Sequence, residues 1–433
     1  MLKSFSISVL ILSWIYVPSA FCDTTEDSSF HAQVTAITQM HGEFSSPYSG
    51  KNSFVSSEPS ATSYTLTLYL AKRFLKDTEF YLDPELAGGS GLSQTLGIAG
   101  YPNGEIYRVD SPNAKWNLSR LLVKRIFNIG EEKENSDASL TQLAGSVAVQ
   151  SFTFIAGRFA LNDYIDNNTY SHDPRIQFMN WALMDFGAWD YAADTRGFTW
   201  GILLEYNEKN WAVRYALAMV PGDANQVTFD SKFPDARGDN LEFETRYKVS
   251  DHPGVARILA FSNRAHMGSY QQSVSNPSYK IDITQTRDYR TKYGFGLNLE
   301  QEIFSGLGIF SRLSWNDGHE ESWAFSEIDQ SESFGASLKG TSWKRPHDTF
   351  ASSVIVNHIS GDHITYLNAG GYGFIIGDSK LSYNPEFISE TYYSYEATPQ
   401  IFLTLDYAYI ANPAYNSDRG PVSIYGFRFH CEI

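Results

Sequence analysis

Cysteine is nearly absent from this chain, with Cys22 close to its start and Cys431 close to its end. If an N-terminal leader is removed, Cys431 alone is left, so no disulfide can form within one chain and covalent staples do not hold the fold. Long apolar runs are missing too. Beyond the first segment nothing approaches the roughly 18 apolar residues that argue for a transmembrane helix, so any membrane role falls to strands. Clustered positive charge is a third absence. The formal net charge is -16, and without a basic patch to neutralise phosphates a nucleic-acid partner is excluded.

Catalytic and metal-binding patterns are lacking as well. There is no Gly-x-Ser-x-Gly elbow, since Gly88-Gly89-Ser90-Gly91 has the wrong spacing and reads as loop. No His-Glu-x-x-His or cysteine pair marks a metal site, and His358 and His363, around Gly361-Asp362, read as turn residues. Gly370-Gly371-Tyr372-Gly373 lacks the strand-then-helix setting of a phosphate loop. The chain is therefore read as no enzyme, with no metal and no cofactor.

What is present begins with export. Lys3 precedes an apolar run from Phe5 to Val17, and Pro18-Ser19-Ala20-Phe21-Cys22 offers small residues for cleavage before Asp23. Residues 1–22 are expected to be a cleaved secretory signal and residues 23–433 a single domain. Aromatics make up 15% of the chain, while apolar content is moderate, as expected when only alternate residues meet lipid or a core.

Alternation is the dominant pattern. Counting back from the end, Ile433, Cys431, Phe429, Phe427 and Tyr425 are apolar or aromatic, with Glu432, His430, Arg428 and Gly426 between them. Such period-2 order places one apolar face on a strand. It recurs at Tyr64–Leu70, at Trp211–Met219, in Leu297 and its neighbours, and in Ile401–Tyr409. The sharpest case sets Leu241, Phe243, Thr245, Tyr247 and Val249 against Glu242, Glu244, Arg246 and Lys248, four charges that need water. With further candidates near 32–40, 78–83, 116–127, 151–159, 198–206, 255–262, 306–315, 333–339, 349–357 and 389–396, about sixteen strands are expected. An all-β transmembrane antiparallel barrel of that size leaves an aqueous channel, whereas eight strands leave an interior filled by side chains. A soluble β-sandwich could place the charged face in bulk solvent.

Two long stretches, residues 84–113 and 160–197, do not read as strands. The second is dense in Trp, Phe and Met, which argues for an ordered segment folded inward or capping the barrel.

The run Gly157-Arg158-Phe159, Asp173-Pro174-Arg175, Phe178-Met179-Asn180-Trp181, Gly187-Ala188-Trp189-Asp190-Tyr191 and Ala193-Asp194-Thr195-Arg196-Gly197 resembles the carbohydrate-selective porins of Gram-negative outer membranes, the OprB type. So do Pro84-Glu85-Leu86-Ala87-Gly88-Gly89, Gly100-Tyr101-Pro102-Asn103-Gly104-Glu105 and Asp418-Arg419-Gly420-Pro421-Val422-Ser423. The resemblance spans the mature chain. It implies a sixteen-stranded barrel that passes glucose and related monosaccharides by facilitated diffusion, with outer-membrane lipid, lipopolysaccharide and the barrel-assembly machinery as its surroundings. Ile433 stands where such barrels usually end in Phe.

The chemistry of sugar passage points to residues independently. A neutral polyol is held by hydrogen bonds to charged or amide groups and by stacking of its C–H face on a ring, weakly enough to be released. The candidates are Arg158, Asp163, Arg175, Asn180, Trp181, Trp189, Asp194, Arg196 and Arg214, with Glu85 and Arg108 from the first long loop. Each charge could instead pair to hold a loop against the wall, and each Trp could be an anchor. A general diffusion pore is the alternative, and an outer-membrane hydrolase a more remote one.

Overall fold

The structure, a computed structural model, describes residues 25–106, 112–276, 278 and 280–433. The expected signal sequence and Arg108 lie outside the described residues.

The first half of the chain forms β1 (Ser28–His41), β2 (Ala61–Leu75), β3 (Thr78–Gly89), β4 (Lys115–Asn128), β5 (Lys133–Ser136), β6 (Gly145–Ala148), β7 (Ser151–Phe159), β8 (Thr199–Asn207) and β9 (Trp211–Ala218). The second half forms β10 (Arg237–Val249), β11 (His252–Met267), β12 (Asp288–Phe304), β13 (Leu307–Asn316), β14 (Gln330–Gly340), β15 (Arg345–His358), β16 (Glu386–Thr398), β17 (Ile401–Ala411) and β18 (Val422–Glu432). Sixteen of these pair antiparallel in chain order, and β1 closes on β18 with Ala36 opposite Phe429. The pair β5–β6 stands apart as a separate hairpin. Closure leaves no free strand edge, so the wall strands pair with a neighbour on both sides, as a bilayer demands.

The period-2 pattern decides which face looks where. In β10, Leu241 and Phe243 are 50% and 45% exposed on the outer surface, while Glu242 and Glu244 between them are 0% and 5% exposed. The charges thus point into the barrel, against other polar groups, and the rings point out. Such a wall needs no helix to cross a membrane, and among the described residues no helix is long and apolar enough to do so.

One end of the barrel carries both ends of the described chain, six short turns and the longer connection between β4 and β7; the other carries the remaining connections. Residues 84–89, expected to open a loop, instead continue β3. Pro84 sits at a shift of register against β4, where the ladder is already broken and a missing N–H is tolerated. Glu85 is accordingly a strand residue. His358 closes β15, and His363 lies on α1 (Gly361–Asn368), whose first turn is capped by Ser360; neither stands in a turn.

The segment 160–198 enters the barrel and packs on its inner wall. Wall glycines make room for it: a Cβ at Gly308 would lie 1.9 Å from the Tyr170 ring, and one at Gly296 2.6 Å from Phe186.

If Phe243 meets the bilayer core, Phe243→Arg is expected to destabilise the inserted barrel by about 2–4 kcal/mol. Urea titration of protein folded into vesicles measures this, and a variant as stable as the parent would overturn the placement of β10.

Candidate functional site

An irregular segment inside a barrel brings N–H and C=O groups that need partners. The wall supplies both kinds. Inward-pointing carboxylates accept backbone N–H groups: Glu242 from Asp166 at 2.7 Å, Glu300 from Thr169 at 2.6 Å, and Glu390 from Met179 and Asn180 at 2.6 and 3.1 Å. Inward-pointing guanidinium groups donate to its carbonyls. Arg428 reaches Pro174 and Gln177, and Arg312 reaches Leu183, Asp166 and Ser171 while its Nε meets the Asp166 carboxylate at 3.0 Å. Arg312 and Asp166 are fully buried.

Arg175 works in the opposite sense, from the segment to the wall and to the connection between β3 and β4. It donates to Glu105 at 2.8 Å, Gln33 at 2.7 Å, Tyr69 at 3.0 Å and Glu85 at 2.9 Å. Burial works against the Arg175 charge, but Glu105 and Glu85 hold its pKa well above the usual arginine range. Burial likewise pushes the Glu105 carboxyl upward, against the pull of Arg175. Two further pairs fasten the ends of the segment: Arg120 donates to Asp163 at 2.7 Å, and Arg158 to Asp194 at 2.6 Å.

The tryptophans are fixed by their indole N–H groups. Trp189 donates to Asn240 at 3.0 Å and is 1% exposed; Trp181 donates to the carbonyl of Asn103 at 3.0 Å. Asn180 caps the short helix α2 (Trp181–Met184) through the Ala182 N–H and donates to Gly100. These three sit in the packed body of the segment.

Two cavities open toward the short-turn end. One, of about 880 Å³, is lined by Arg175, Asp163 and Arg196, together with Glu105, Arg120, Tyr69, Tyr191 and Phe325. The other, of about 960 Å³, is lined by Arg214, Arg246, Arg257, Glu205 and Glu244 among others. There Arg214 bonds Glu205, Glu242 and Glu244 within 3.0 Å. The structure thus brings Arg175, Asp163 and Arg196 to one cavity and Arg214 to its neighbour. Arg158 and Asp194 form a buried pair behind them, and Glu85 backs Arg175.

Sequence reasoning passed over Arg120, Tyr191, Glu105 and Phe325. Arg120 carries a signal in hindsight, as a lone charge in the run Leu118-Ser119-Arg120-Leu121-Leu122. Phe325 carries none. It comes from the connection between β13 and β14, its backbone held at φ +70°, a conformation that a bulky residue keeps only when its surroundings enforce it. Its ring stacks on Trp181 at 5.5 Å and meets Tyr191 at 5.9 Å.

Comparison with known proteins follows the same lines. The model of the carbohydrate-selective porin family, OprB family, matches residues 60–432. The high-pH structure of Pseudomonas putida OprB superimposes with a TM-score of 0.69 at 15% identity, covering 94% of each chain. The low-pH structure of the same protein gives 0.51 at 13% identity, covering 94% of this chain and 93% of that one. The outer membrane channel DcaP of Acinetobacter baumannii gives 0.50 at 10% identity, covering 94% and 97%. No curated protein sequence matches the chain.

Two outcomes test the fastening of the segment. Asp166→Ala leaves Arg312 buried and unpaired and is expected to destabilise the folded protein by about 3–5 kcal/mol, read from chemical unfolding in detergent. Asp185 is buried beside Asp166, and burial holds its carboxyl well above the usual range. A raised folded-state pKa means that the folded protein holds a proton the unfolded chain gives up, so stability falls as pH rises past the unfolded value. Asp185→Asn is therefore expected to raise the melting temperature at neutral pH, with the gain vanishing below about pH 4; an equal shift at both pH values would contradict this.

Proposed function

The chain belongs to the carbohydrate-selective porin family of the OprB type and is an outer-membrane porin, not an enzyme; from that premise we propose that glucose-sized neutral sugars cross it through the cavity of Arg175 and Phe325. The observation that carries this reading is the make-up of that one cavity. Arg175, Arg196 and the Arg120–Asp163 pair border it beside the rings of Tyr191 and Phe325. A pyranose has hydroxyls around its rim and C–H bonds on its faces, so a ring flanked by donors and acceptors suits it, and water replaces each lost hydrogen bond on exit.

Pairing of the arginines supports neutral over anionic cargo. Arg175 faces Glu85 and Glu105, Arg120 faces Asp163 and Asp83, and Arg158 faces Asp194. Each of these arginines is answered by at least one carboxylate, so no bare positive charge holds an anion on the path. Trp181 serves from behind, holding the Phe325 ring in place. The long connections are taken to face the exterior and the short turns the periplasm, as in bacterial barrels generally. A cleaved signal over residues 1–22, insertion by the barrel-assembly machinery, and contact with lipid and lipopolysaccharide complete the reading.

Liposome swelling with glucose, a disaccharide and a charged solute of glucose size tests it. Fastest uptake of glucose is expected; rates ordered by size alone would mean a general diffusion pore. Phe325→Ala removes a ring contact worth about 1 kcal/mol and is expected to weaken sugar block of ion current about fivefold. Arg175→Ala is expected to change glucose flux in assembled protein, and unchanged flux would remove Arg175 from the path.

A further inference from the structure

The connection between β4 and β7 differs from every other at its end of the barrel. Residues 76–77, 208–210, 250–251, 305–306, 341–344 and 399–400 join adjacent strands by a short route, whereas residues 129–150 carry the hairpin β5–β6. A hairpin this short does not hold itself together in water. This one folds back into the barrel mouth, with Leu143 and Ala148 each 1% exposed.

It is tied down at both the base and the tip loop. Glu26 and Ala144 exchange hydrogen bonds at 3.0 and 2.9 Å, and Asn207 donates to the Val149 carbonyl at 2.9 Å. Arg73 adds bonds to the Glu26 carbonyl and the Glu79 carboxylate, both at 2.7 Å. The tip is a closed turn, because the backbones of Ser139 and Gln142 bond each other at 2.9 and 3.2 Å.

The tip lies where solute would pass. Ser139 and Thr141 border both cavities, with Asp163 and Asn167 of the inward segment completing the partition. Leu140 borders only the cavity of Arg175 and Phe325, which continues to Gln400 and Ile433 at the short-turn rim. A solute leaving that site therefore passes between the hairpin tip on one side and the ends of β17 and β18 on the other.

We propose that the tip of this hairpin, Ser139 to Gln142, is a second size filter at the exit of the channel. The role rests on the sugar path argued above and adds to it a separate element from the opposite end of the barrel. A sixteen-stranded wall alone encloses a wide aqueous channel, and the inward segment narrows it from one end only. The hairpin narrows it from the other. Ser139 and Thr141 offer hydroxyls to a passing polyol, and Leu140 supplies bulk without charge.

Replacing residues 130–149 by Asn-Gly, a two-residue hairpin turn, tests this. Single-channel conductance in salt and swelling rates for glucose and a disaccharide are the readouts. Conductance is expected to rise about twofold or more, since the narrowest section limits flow, and the disaccharide rate is expected to gain on that of glucose. Unchanged conductance and an unchanged rate ratio in assembled, heat-modifiable protein overturn the filter. If the shortened chain fails to assemble, full-length protein carrying Leu140→Cys and Cys431→Ser takes its place. Labelling it with a bulky maleimide is expected to lower conductance, and complete labelling without effect overturns the proposal. Because conductance is measured in salt alone, it answers for the hairpin separately. A parent protein that shows no preference for sugar would sink the sugar path instead.

Discussion

The interior of this barrel depends on polar bonds between the wall and the segment 160–198. Phe178, Trp181, Phe186 and Trp189 of the segment are buried in apolar packing, but the inner wall is also lined with charge, and packing alone would leave those charges unpaired. The Arg312–Asp166 pair is the deepest case, buried on both sides and bonded to backbone carbonyls as well as to the carboxylate. A buried ion pair contributes little net stability compared with apolar packing, but removing one partner is expensive. Its effect is therefore on specificity: the segment has one position in which these charges are satisfied. Everything nearer the channel, from the Arg175 cluster to the Phe325 ring, takes its place from that position.

The same bonds explain how a channel can contain so much arginine without trapping anions. A guanidinium has five N–H donors. In Arg175, Nε is occupied by Glu105, Nη1 by Gln33 and Tyr69, and Nη2 by Glu85. Little donor capacity is left for cargo. The arginine that looks most like a binding residue is mainly a fastening, and on the proposed path it is a polar edge with its charge already answered.

How much of this was legible in the sequence follows from the range of each interaction. Strands that alternate apolar and polar residues, such as Leu241 to Val249, announce both their extent and their inner face, because lipid on one side and water on the other impose period 2 locally. All sixteen wall strands could be found this way. Residues 84–89 were misjudged because Pro84 and the glycines normally break strands, and the bulge that admits the proline depends on β4. The hairpin β5–β6 was missed because Lys133-Glu134-Asn135-Ser136 and Gly145-Ser146-Val147-Ala148 touch no lipid and show no alternation. The inward segment was recognisable from its Trp, Phe and Met content, but the partners that fix it are not. Arg312 and Asp166, or Phe325 and Trp181, meet only after the barrel has closed.

A porin must bind its cargo weakly, and this architecture reaches weak binding by using up its strong groups. An unpaired arginine in a narrow, partly dehydrated channel would hold a carboxylate or phosphate long enough to block it. An apolar lining would instead exclude a polyol, which loses its water and gains nothing. Paired charges avoid both outcomes: they keep the surface wet and polar while the charges of Arg120, Arg158 and Arg175 are already answered by carboxylates. On the proposed path, the rings of Tyr191 and Phe325 then favour a sugar face over an ion of the same size. Selectivity in such a channel follows from how completely the charges are paired, and pairing is set by the same contacts that hold the inward segment in place. On the proposed path, fold stability and sugar passage therefore rest on one set of bonds.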